Sequence, residues 1–442
     1  MRRLLILPCA GLAACDGATV DRVGVPDLRV AEDMGTVVLA EWEPPADTPD
    51  ELVLAWSRDG AAWARTPVEA GAPWRAVAFG LKPSTGYQFR LEGEWAGEAE
   101  IGAIVRLETA ALPTTAPTLT MAEAEPQAGL VAVGVNSDRS GAAFFDGDGD
   151  VVWWWEVPNS ELLLTRVLRS VDQRSVLVST FNSPDGEYEE SELAIHRVAY
   201  DGSVVEVIPT PGGHHDFTEQ ADGTLAWLSA DTQFVGEVPI SGDTLVERSP
   251  DGAERVVWNA WDTHTYDSDD PRYDHDFLHA NCVKYDDTTG RYWVSLRATG
   301  ELVQLDPATG TVVGTLFGPA SDLELTSGEN VAFQHCFTLT DTGFVMMDDR
   351  MRQDEVSRAV EFTTDVEAGT MAQTWEYPSD QDLHLFGLGD ALPAGDDVLM
   401  VWSSAGQLQR VDRAGVTSWR GTTGLGTYLG YGQYSTSTTV LP

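Results

Sequence analysis

The sequence predicts an all-β protein in which an N-terminal β-sandwich is followed by a six-bladed β-propeller. Three observations predict it: strand-length apolar alternation early in the chain, a glycine-centred repeat over the remainder, and the absence of helical periodicity. The chain has 442 residues, is 43% hydrophobic and has a formal net charge of −43, so it can bury a large core. Because phosphate backbones repel so acidic a protein, no nucleic-acid partner is expected.

Residues 1–15, MRRLLILPCAGLAAC, are typical of a bacterial export signal. Arg2 and Arg3 precede an apolar stretch, and the sequence LAAC ending at Cys15 is typical of a lipoprotein cleavage box. We expect cleavage before Cys15, lipidation of that residue, and a periplasmic or cell-surface lipoprotein that contacts membrane only through this anchor. The alternative is an ordinary signal peptide with an incidental cysteine.

Residues 24–112 contain short alternating strands that are separated by Pro, Gly and Asp, the pattern of an antiparallel sandwich. The pieces VVLAEWEPP, LVLAWSRDGAAW and LKPSTGYQFRLEG occur in the order of a fibronectin type III module, which this segment resembles. The resemblance implies a core role for Trp42 and a corner at Tyr87. The segment contains no catalytic pattern and is expected to support a larger domain. The Thr/Pro/Ala stretch at 111–118 marks the boundary.

A weak repeat predicts the propeller over residues 118–442. A turn glycine followed by β-branched residues recurs at intervals of 53, 50, 58, 59 and 46 residues. These glycines are Gly149, Gly202, Gly252, Gly310, Gly369 and Gly415. The acidic run DGDGD at 146–150 lacks the later bidentate Glu of a calcium loop, and a plain hairpin turn is favoured.

Four of the eight histidines occupy one register of the repeat. His215 and His335 each precede a turn glycine by 8 residues, and His279 and His384 each precede one by 11. Equivalent positions on the innermost strands of a propeller converge on its axis, so we expect these imidazoles to meet at one mouth of the channel. A single histidine would be interpreted as structural, but four in register favour a site.

Arg297 lies one hairpin after His279 and can present a planar fork to a tetrahedral anion. Three imidazoles and one guanidinium suit sulfate, phosphate or a sulfonate. Zinc is the competing interpretation, because three histidines are a common ligand set. An arginine at the same place argues against it, and no His-x-His or HExxH pattern occurs. We therefore predict no metal and no cofactor.

Three blocks resemble the bacterial aryl-sulfate sulfotransferase (arylsulfotransferase) family: HHDFTEQADGTLAWL, DFLHANCVKYDDTTGRYWVSLR, and FQHCFTLTDTGFVMMDD with its sequel SRAVEF. The resemblance implies an exported six-bladed propeller that transfers a sulfuryl group from an aryl sulfate to a phenol without a nucleotide sulfate donor. It implies a nucleophilic role for His335, sulfuryl binding by His215, His279 and Arg297, and substrate binding by Asn281. His384 is a substrate-binding candidate from its register alone.

These residue types suit sulfuryl transfer, in which negative charge spreads over three oxygens and fixed cationic donors stabilise it. A neutral imidazole is a good nucleophile, so the expected mechanism is ping-pong through a sulfohistidine, with His215 or His279 donating a proton to the leaving phenolate. His214 is expected on the opposite face from His215, in a structural role. His264 and His275 are expected in an acidic surface loop.

Two departures from the family pattern are cysteines, Cys282 and Cys336, and whether they form a disulfide is left open by the sequence. The expected partners are a small aryl sulfate and a phenolic acceptor, and a homodimer is left open. The first rival hypothesis is a non-catalytic exported propeller that binds an anionic ligand or a partner protein. The second is a quinoprotein-like or metal-dependent propeller enzyme.

Overall fold

The structure, a computed structural model, describes residues 23–43, 47–125, 127–159, 161–181, 192–270, 277–350, 355–424 and 426–442. These residues form an all-β fold, which confirms the predicted class. The helix α1 (Ala260–Thr263) and a 3-10 turn at Ser403–Ala405 interrupt the strands. No described helix is long and apolar enough to span a membrane. The predicted export signal with Cys15, and also His275, lie outside the described residues.

The described residues of the N-terminal part form eight strands. They are β1 (Asp27–Val30), β2 (Val38–Trp42), β3 (Glu51–Ser57), β4 (Ala64–Pro67), β5 (Trp74–Ala78), β6 (Gly86–Trp95), β7 (Glu98–Ile101) and β8 (Val105–Glu108). In β2 and β6 the more buried side chains alternate with less buried ones, because apolar residues recur at every second position. One antiparallel sheet has the order β1-β2-β5, and a second has the order β4-β3-β6-β7 with β8 paired to β6. Both sheets contribute to one apolar core that includes Trp42, Trp56 and Phe89.

The larger part consists of antiparallel meanders of mainly buried strands. Its first half comprises β9 (Thr120–Ala124), β10 (Leu130–Asn136), β11 (Gly141–Asp146), β12 (Val151–Glu156), β13 (Leu163–Arg169), β14 (Ser175–Phe181), β15 (Ala194–Ala199), β16 (Val204–Pro209), β17 (Gly213–Glu219), β18 (Leu225–Val235), β19 (Val238–Arg248) and β20 (Glu254–Asn259). Its second half comprises β21 (Ala280–Asp286), β22 (Arg291–Leu296), β23 (Glu301–Asp306), β24 (Thr311–Leu316), β25 (Glu324–Ser327), β26 (Phe337–Thr340), β27 (Gly343–Asp348), β28 (Arg358–Asp365), β29 (Thr370–Pro378), β30 (Asp390–Ala394), β31 (Asp397–Trp402), β32 (Gln407–Val411), β33 (Thr417–Thr422) and β34 (Tyr428–Ser435).

Most of these strands pair with their neighbours in the chain, and the exceptions are β9, β25 and β34. The sheets are β17-β18-β19-β20, β21-β22-β23-β24, β25-β29-β28-β27-β26 and β30-β31-β32-β33-β9, beside an eight-stranded sheet of order β12-β11-β10-β34-β13-β14-β15-β16. The two halves of the eight-stranded sheet meet through one parallel pair, Arg166 and Tyr431.

The first strand of each meander contacts the first strand of the next. Thus β13 contacts β17, β17 contacts β21, β21 contacts β26, β26 contacts β30, and β30 contacts β34, which also contacts β13. The circuit of contacts therefore returns to its start. Two long-range pairings complete it: β34 joins β10, and β9 joins β33.

The N-terminal sheets pack against the first meander. Phe79 lies edge-on to Phe144, with ring centroids 5.2 Å apart. The Lys82 ammonium lies 2.8 Å from carboxylate oxygens of Asp146 and of Asp148, and it also contacts Asp150. The acidic run therefore forms the turn between β11 and β12 and carries a lysine as its counter-ion.

Candidate active site

The predicted histidines lie where three inner strands begin. His215 lies in β17, and His279 immediately precedes β21. One residue separates His335 from the start of β26. Arg297 directly follows β22, and its backbone N–H donates to the carbonyl of His279 over 3.1 Å. Because these inner strands occupy equivalent places in successive sheets, their first residues come together at one end of the ring.

His215 and His279 have backbone φ angles of 56° and 52°, in the left-handed region. Such a conformation costs a non-glycine residue about 1–3 kcal/mol and is concentrated at functional sites. The pairing of β17 with β18 shifts register between Gly213 and Phe217, around His215. The backbone irregularity turns the imidazole of His215 away from the direction that strand alternation predicts.

The two imidazoles are direct neighbours. His215 Nε2 lies 3.2 Å from His279 Nε2, and their ring centroids are 4.7 Å apart. Burial and the nearby positive groups, namely His279, His214, His335 and Arg297, hold the pKa of His215 well below its ordinary value. His215 is therefore neutral near pH 7 and can accept a proton.

His335 is buried and oriented by a carboxylate that the sequence analysis did not single out. Its Nδ1 lies 2.7 Å from Asp349 Oδ2, and its backbone N–H donates to Met347 O over 3.0 Å. Burial raises the pKa of Asp349, while the neighbouring His335 and Arg297 oppose that rise. With Nδ1 facing Asp349, Nε2 is the nitrogen available for chemistry.

Arg297 is half-buried, and its guanidinium lies over the ring of Phe333, 4.7 Å from the centroid. Tyr428 belongs to the same region, because its pKa is raised by burial and then by Asp349, while Arg297 acts in the opposite direction. Its ring contacts the exposed Phe386 at 5.4 Å. An aromatic face, that of Phe333, therefore lies directly against the cationic group, an arrangement suited to an aryl ring.

Asn281 is fully buried, and its amide donates to the carbonyl of Gln334 over 2.8 Å. It therefore holds the backbone directly before His335, and its predicted contact with substrate stays a prediction. The next residue, Cys282, forms a disulfide with Cys336, with Cα atoms 5.0 Å apart. The bridge and this hydrogen bond tie the segment of His279 to the segment of His335.

His384 lies in the segment that precedes β30. Its side chain is exposed and makes no hydrogen bond or ion pair with any residue that the structure describes. The strand that would present it, β30, begins six residues later at Asp390, so the equal spacing to a glycine does not place it at the start of an inner strand. Its predicted role in substrate binding stays a prediction.

His214 was expected on the opposite face from His215, and this is wrong. His214 Nδ1 lies 3.0 Å from His215 Nδ1, because the left-handed residue 215 interrupts the alternation of the strand. His214 Nε2 lies 3.4 Å from Asp243 Oδ1. The sequence indicated this contact only by placing the two histidines side by side. The rule that adjacent strand residues point to opposite faces argued against it.

Beneath the histidines lies a buried ionic cluster that the sequence analysis also missed. Arg166 in β13 donates to Asp216 Oδ1 over 2.7 Å and to Asp390 Oδ2 over 3.0 Å. Lys284 Nζ lies 3.4 Å from Asp216, and the ring of Tyr431 lies under the guanidinium. Each residue comes from a different inner strand. A charged residue inside the apolar run LLTRVLR was the available signal.

Two groups of described residues have ligand atoms spaced as a metal site requires. In one, Asp216 accompanies the two cysteines, which are joined in the disulfide. In the other, the three carboxylates of residues 146–150 surround Lys82, as the predicted hairpin turn allows.

The family model of the arylsulfotransferases (ASST) matches residues 113–335. No curated protein matches the chain. Similar solved structures include a Bacteroides caccae protein of unknown function, with 14% identity and a TM-score of 0.46, covering 70% of this chain and 99% of that one. The periplasmic gluconolactonase PpgL of Pseudomonas aeruginosa has 14% identity and a TM-score of 0.42, covering 71% and 99%.

The matched residues make up just over half of the chain and include His215, His279, Asn281, Arg297 and His335. The chain belongs to the arylsulfotransferase (ASST) family.

Proposed function

We propose that this protein is an aryl-sulfate sulfotransferase that moves a sulfuryl group from an aryl sulfate ester to a phenol through a sulfohistidine. The observation that carries the proposal is the meeting of an imidazole pair, a carboxylate-oriented imidazole and a guanidinium at one end of the inner strands. The family match supports the reaction class. The reaction needs no nucleotide sulfate donor and no cofactor.

In the first step His335 Nε2 attacks the sulfur, a nitrogen–sulfur bond forms, and the bond from sulfur to the aryl oxygen breaks. Asp349 faces Nδ1 and stabilises the positive charge that develops on the ring. Arg297 stabilises the negative charge on the sulfuryl oxygens. The imidazole pair of His215 and His279 gives a proton to the departing oxygen.

In the second step the acceptor phenol returns a proton to the imidazole pair, and its oxygen attacks the sulfur. The nitrogen–sulfur bond breaks, and His335 is regenerated. The half-buried Tyr428 and the exposed Phe386 are placed to contact the aryl rings.

We propose further that the four-stranded meanders are six blades of a propeller and that the two N-terminal sheets form a fibronectin type III-like sandwich over residues 24–112. The contact circuit of the inner strands supports the first assignment. The second is supported by the shared core and by the backbone N–H of Lys82, which donates to the Tyr87 hydroxyl over 2.9 Å. Export, lipidation at Cys15 and a periplasmic or cell-surface location complete the proposal.

The test is incubation of the purified protein with 4-nitrophenyl sulfate, with and without added phenol. We expect nitrophenolate release that requires phenol, with one phenyl sulfate formed for each nitrophenolate. Equal release without phenol would identify a sulfatase. No release from a panel of aryl sulfates would contradict the proposal and favour a non-catalytic propeller that binds an anion or a protein.

Asp349→Asn is expected to lower kcat on the order of 100-fold. An asparagine amide can donate to His335 Nδ1, which places the ring proton on Nε2 and removes its lone pair from the reaction. The measurement is kcat at saturating donor and acceptor, with the midpoint of thermal unfolding as the check on folding. Asp341→Asn, in the turn between β26 and β27, is the matched control and is expected to retain activity.

A further inference from the structure

A line of polar side chains leads from the proposed site into the protein. His279 Nε2 lies 3.2 Å from His215 Nε2, and His215 Nδ1 lies 3.0 Å from His214 Nδ1. His214 Nε2 in turn lies 3.4 Å from Asp243 Oδ1 on β19. His214 and Asp243 are both buried, whereas His215 and His279 are partly accessible. The two pairs of ring nitrogens lie within hydrogen-bond distance, and His214 Nε2 lies within ion-pair distance of the Asp243 carboxylate.

We propose that His214 and Asp243 are positioning residues that form the inner end of a proton relay, which holds the proton that His215 and His279 deliver to the departing aryl oxygen. The inference rests on the proposed sulfotransferase function and adds to it the origin of the proton.

The protons on the three imidazoles of this line can be arranged in two ways. When His214 carries two protons, Asp243 faces its Nε2–H, and its Nδ1–H donates to His215 Nδ1. His215 Nε2–H then donates to His279 Nε2, so the remaining proton of His279 is on Nδ1. When His214 carries one proton, on the Nε2 that faces Asp243, both inter-ring bonds reverse and His279 Nδ1 has a lone pair.

Conversion between the two states balances the reaction. In the first step the Nδ1–H bond of His279 breaks as the O–H bond of the leaving phenol forms. His215 Nε2 passes its proton to His279 Nε2, and His214 Nδ1 passes its proton to His215 Nδ1, which leaves His214 neutral. In the second step the acceptor phenol protonates His279 Nδ1, and the same transfers run backwards. No proton is gained or lost over the cycle.

The relay explains how a pair that contains the neutral His215 can act as an acid. The pKa of His215 is held well below its ordinary value by burial and by His279, His214, His335 and Arg297, so His215 does not itself store a proton near pH 7. His214 is beside a buried carboxylate, which stabilises its charged form. The stored charge therefore lies on His214, and the rings of His215 and His279 stand between it and the departing oxygen.

The experiment compares two donors whose leaving groups differ in how much they depend on protonation of the departing oxygen. Phenyl sulfate releases a weakly acidic phenol, whereas 4-nitrophenyl sulfate releases a much more acidic one that departs readily as its anion. For each donor kcat/KM is measured, because in a two-step transfer it includes only the steps up to release of the first phenol. The full-length wild type is compared with Asp243→Asn, with His214→Gln and with the double variant.

With the relay broken, we expect kcat/KM to fall about 100-fold for phenyl sulfate and only a few-fold for 4-nitrophenyl sulfate. The double variant is expected to lose no more than the worse single variant, because both residues act in one line. A reduced folded fraction lowers both donors equally and cancels in their ratio. Asp231→Asn, on neighbouring β18 and bonded to Asn259, is the matched control and should leave the ratio unchanged.

The relay is overturned if the wild type is active and the variants lose kcat/KM equally with both donors, or lose none. Either result leaves the proposed function standing. A wild type that releases neither phenol overturns the proposed function, and the relay falls with it.

Discussion

His335→Ala is expected to lower phenol-dependent release of nitrophenolate on the order of 10⁴-fold or more. The reason is that the variant lacks the atom that forms the intermediate, and loss of a covalent nucleophile removes most of the rate enhancement. The ring lies 2.7 Å from Asp349, and no other described imidazole is shown with a carboxylate so close. Initial rates with 4-nitrophenyl sulfate and phenol measure the effect.

The intermediate can be observed directly in the wild type. Wild-type protein mixed with donor alone, then digested, should yield a peptide containing His335 that is heavier by one SO₃ group. The control is His264→Ala, which replaces a half-buried imidazole that contacts Trp258 and Thr263, and it should retain full activity. An active His335→Ala, or a sulfated peptide from elsewhere in the chain, would contradict the assignment.

Arg166→Met is expected to lower the free energy of unfolding by about 3–5 kcal/mol, because removal of one partner leaves buried charge uncompensated. Asp216 and Asp390 would face each other with only Lys284 nearby, and all three are shielded from solvent to a large degree. Denaturant unfolding at neutral pH measures the difference. The matched control is Arg139→Met, which removes an exposed ion pair with Glu156 and should cost less than about 1 kcal/mol.

The effect of Arg166→Met should depend on pH. Burial alone would raise the pKa of Asp216, but Arg166 and Lys284 together lower it below its ordinary value. A carboxyl whose folded pKa is depressed contributes stability above its unfolded pKa, and that contribution is lost as pH falls. The gap between wild type and variant should therefore be largest near pH 7 and narrow under acid conditions. A gap that is constant with pH would contradict an electrostatic origin.

The all-β class was predictable, because turn glycines followed by β-branched residues recur along the chain and the apolar residues show no helical periodicity. The meeting of His215, His279 and His335 was predictable for a related reason: equal positions in a repeat become equal positions around the ring. For His384, which lies six residues before β30, the same reasoning stays a prediction. Counting residues to a glycine measures position along the chain, whereas the start of the inner strand fixes position in space.

The partners of the histidines were harder to predict, since they depend on backbone detail. A left-handed φ at residue 215 places two adjacent imidazoles together, which strand alternation excludes. Asp349 follows the strand β27, and only the pairing of β26 with β27 brings it beside His335. The ion pair of Arg166 and Asp390 joins residues 224 positions apart, a separation that local patterns do not report.

The position of β34 has a consequence for the order in which the protein can fold. This strand follows all the other described strands, yet it lies between β10 and β13 and supplies Tyr428 and Tyr431 to the region of the site. A chain emerging from the ribosome therefore exposes the open edges of both strands until β34 has been made. Until then Arg166 also lacks its hydrogen bond to the carbonyl of Gly432. Closure is a late event of high contact order. Activity therefore depends on closure of the ring. A chain that ends before residue 428 should have neither a closed ring nor activity.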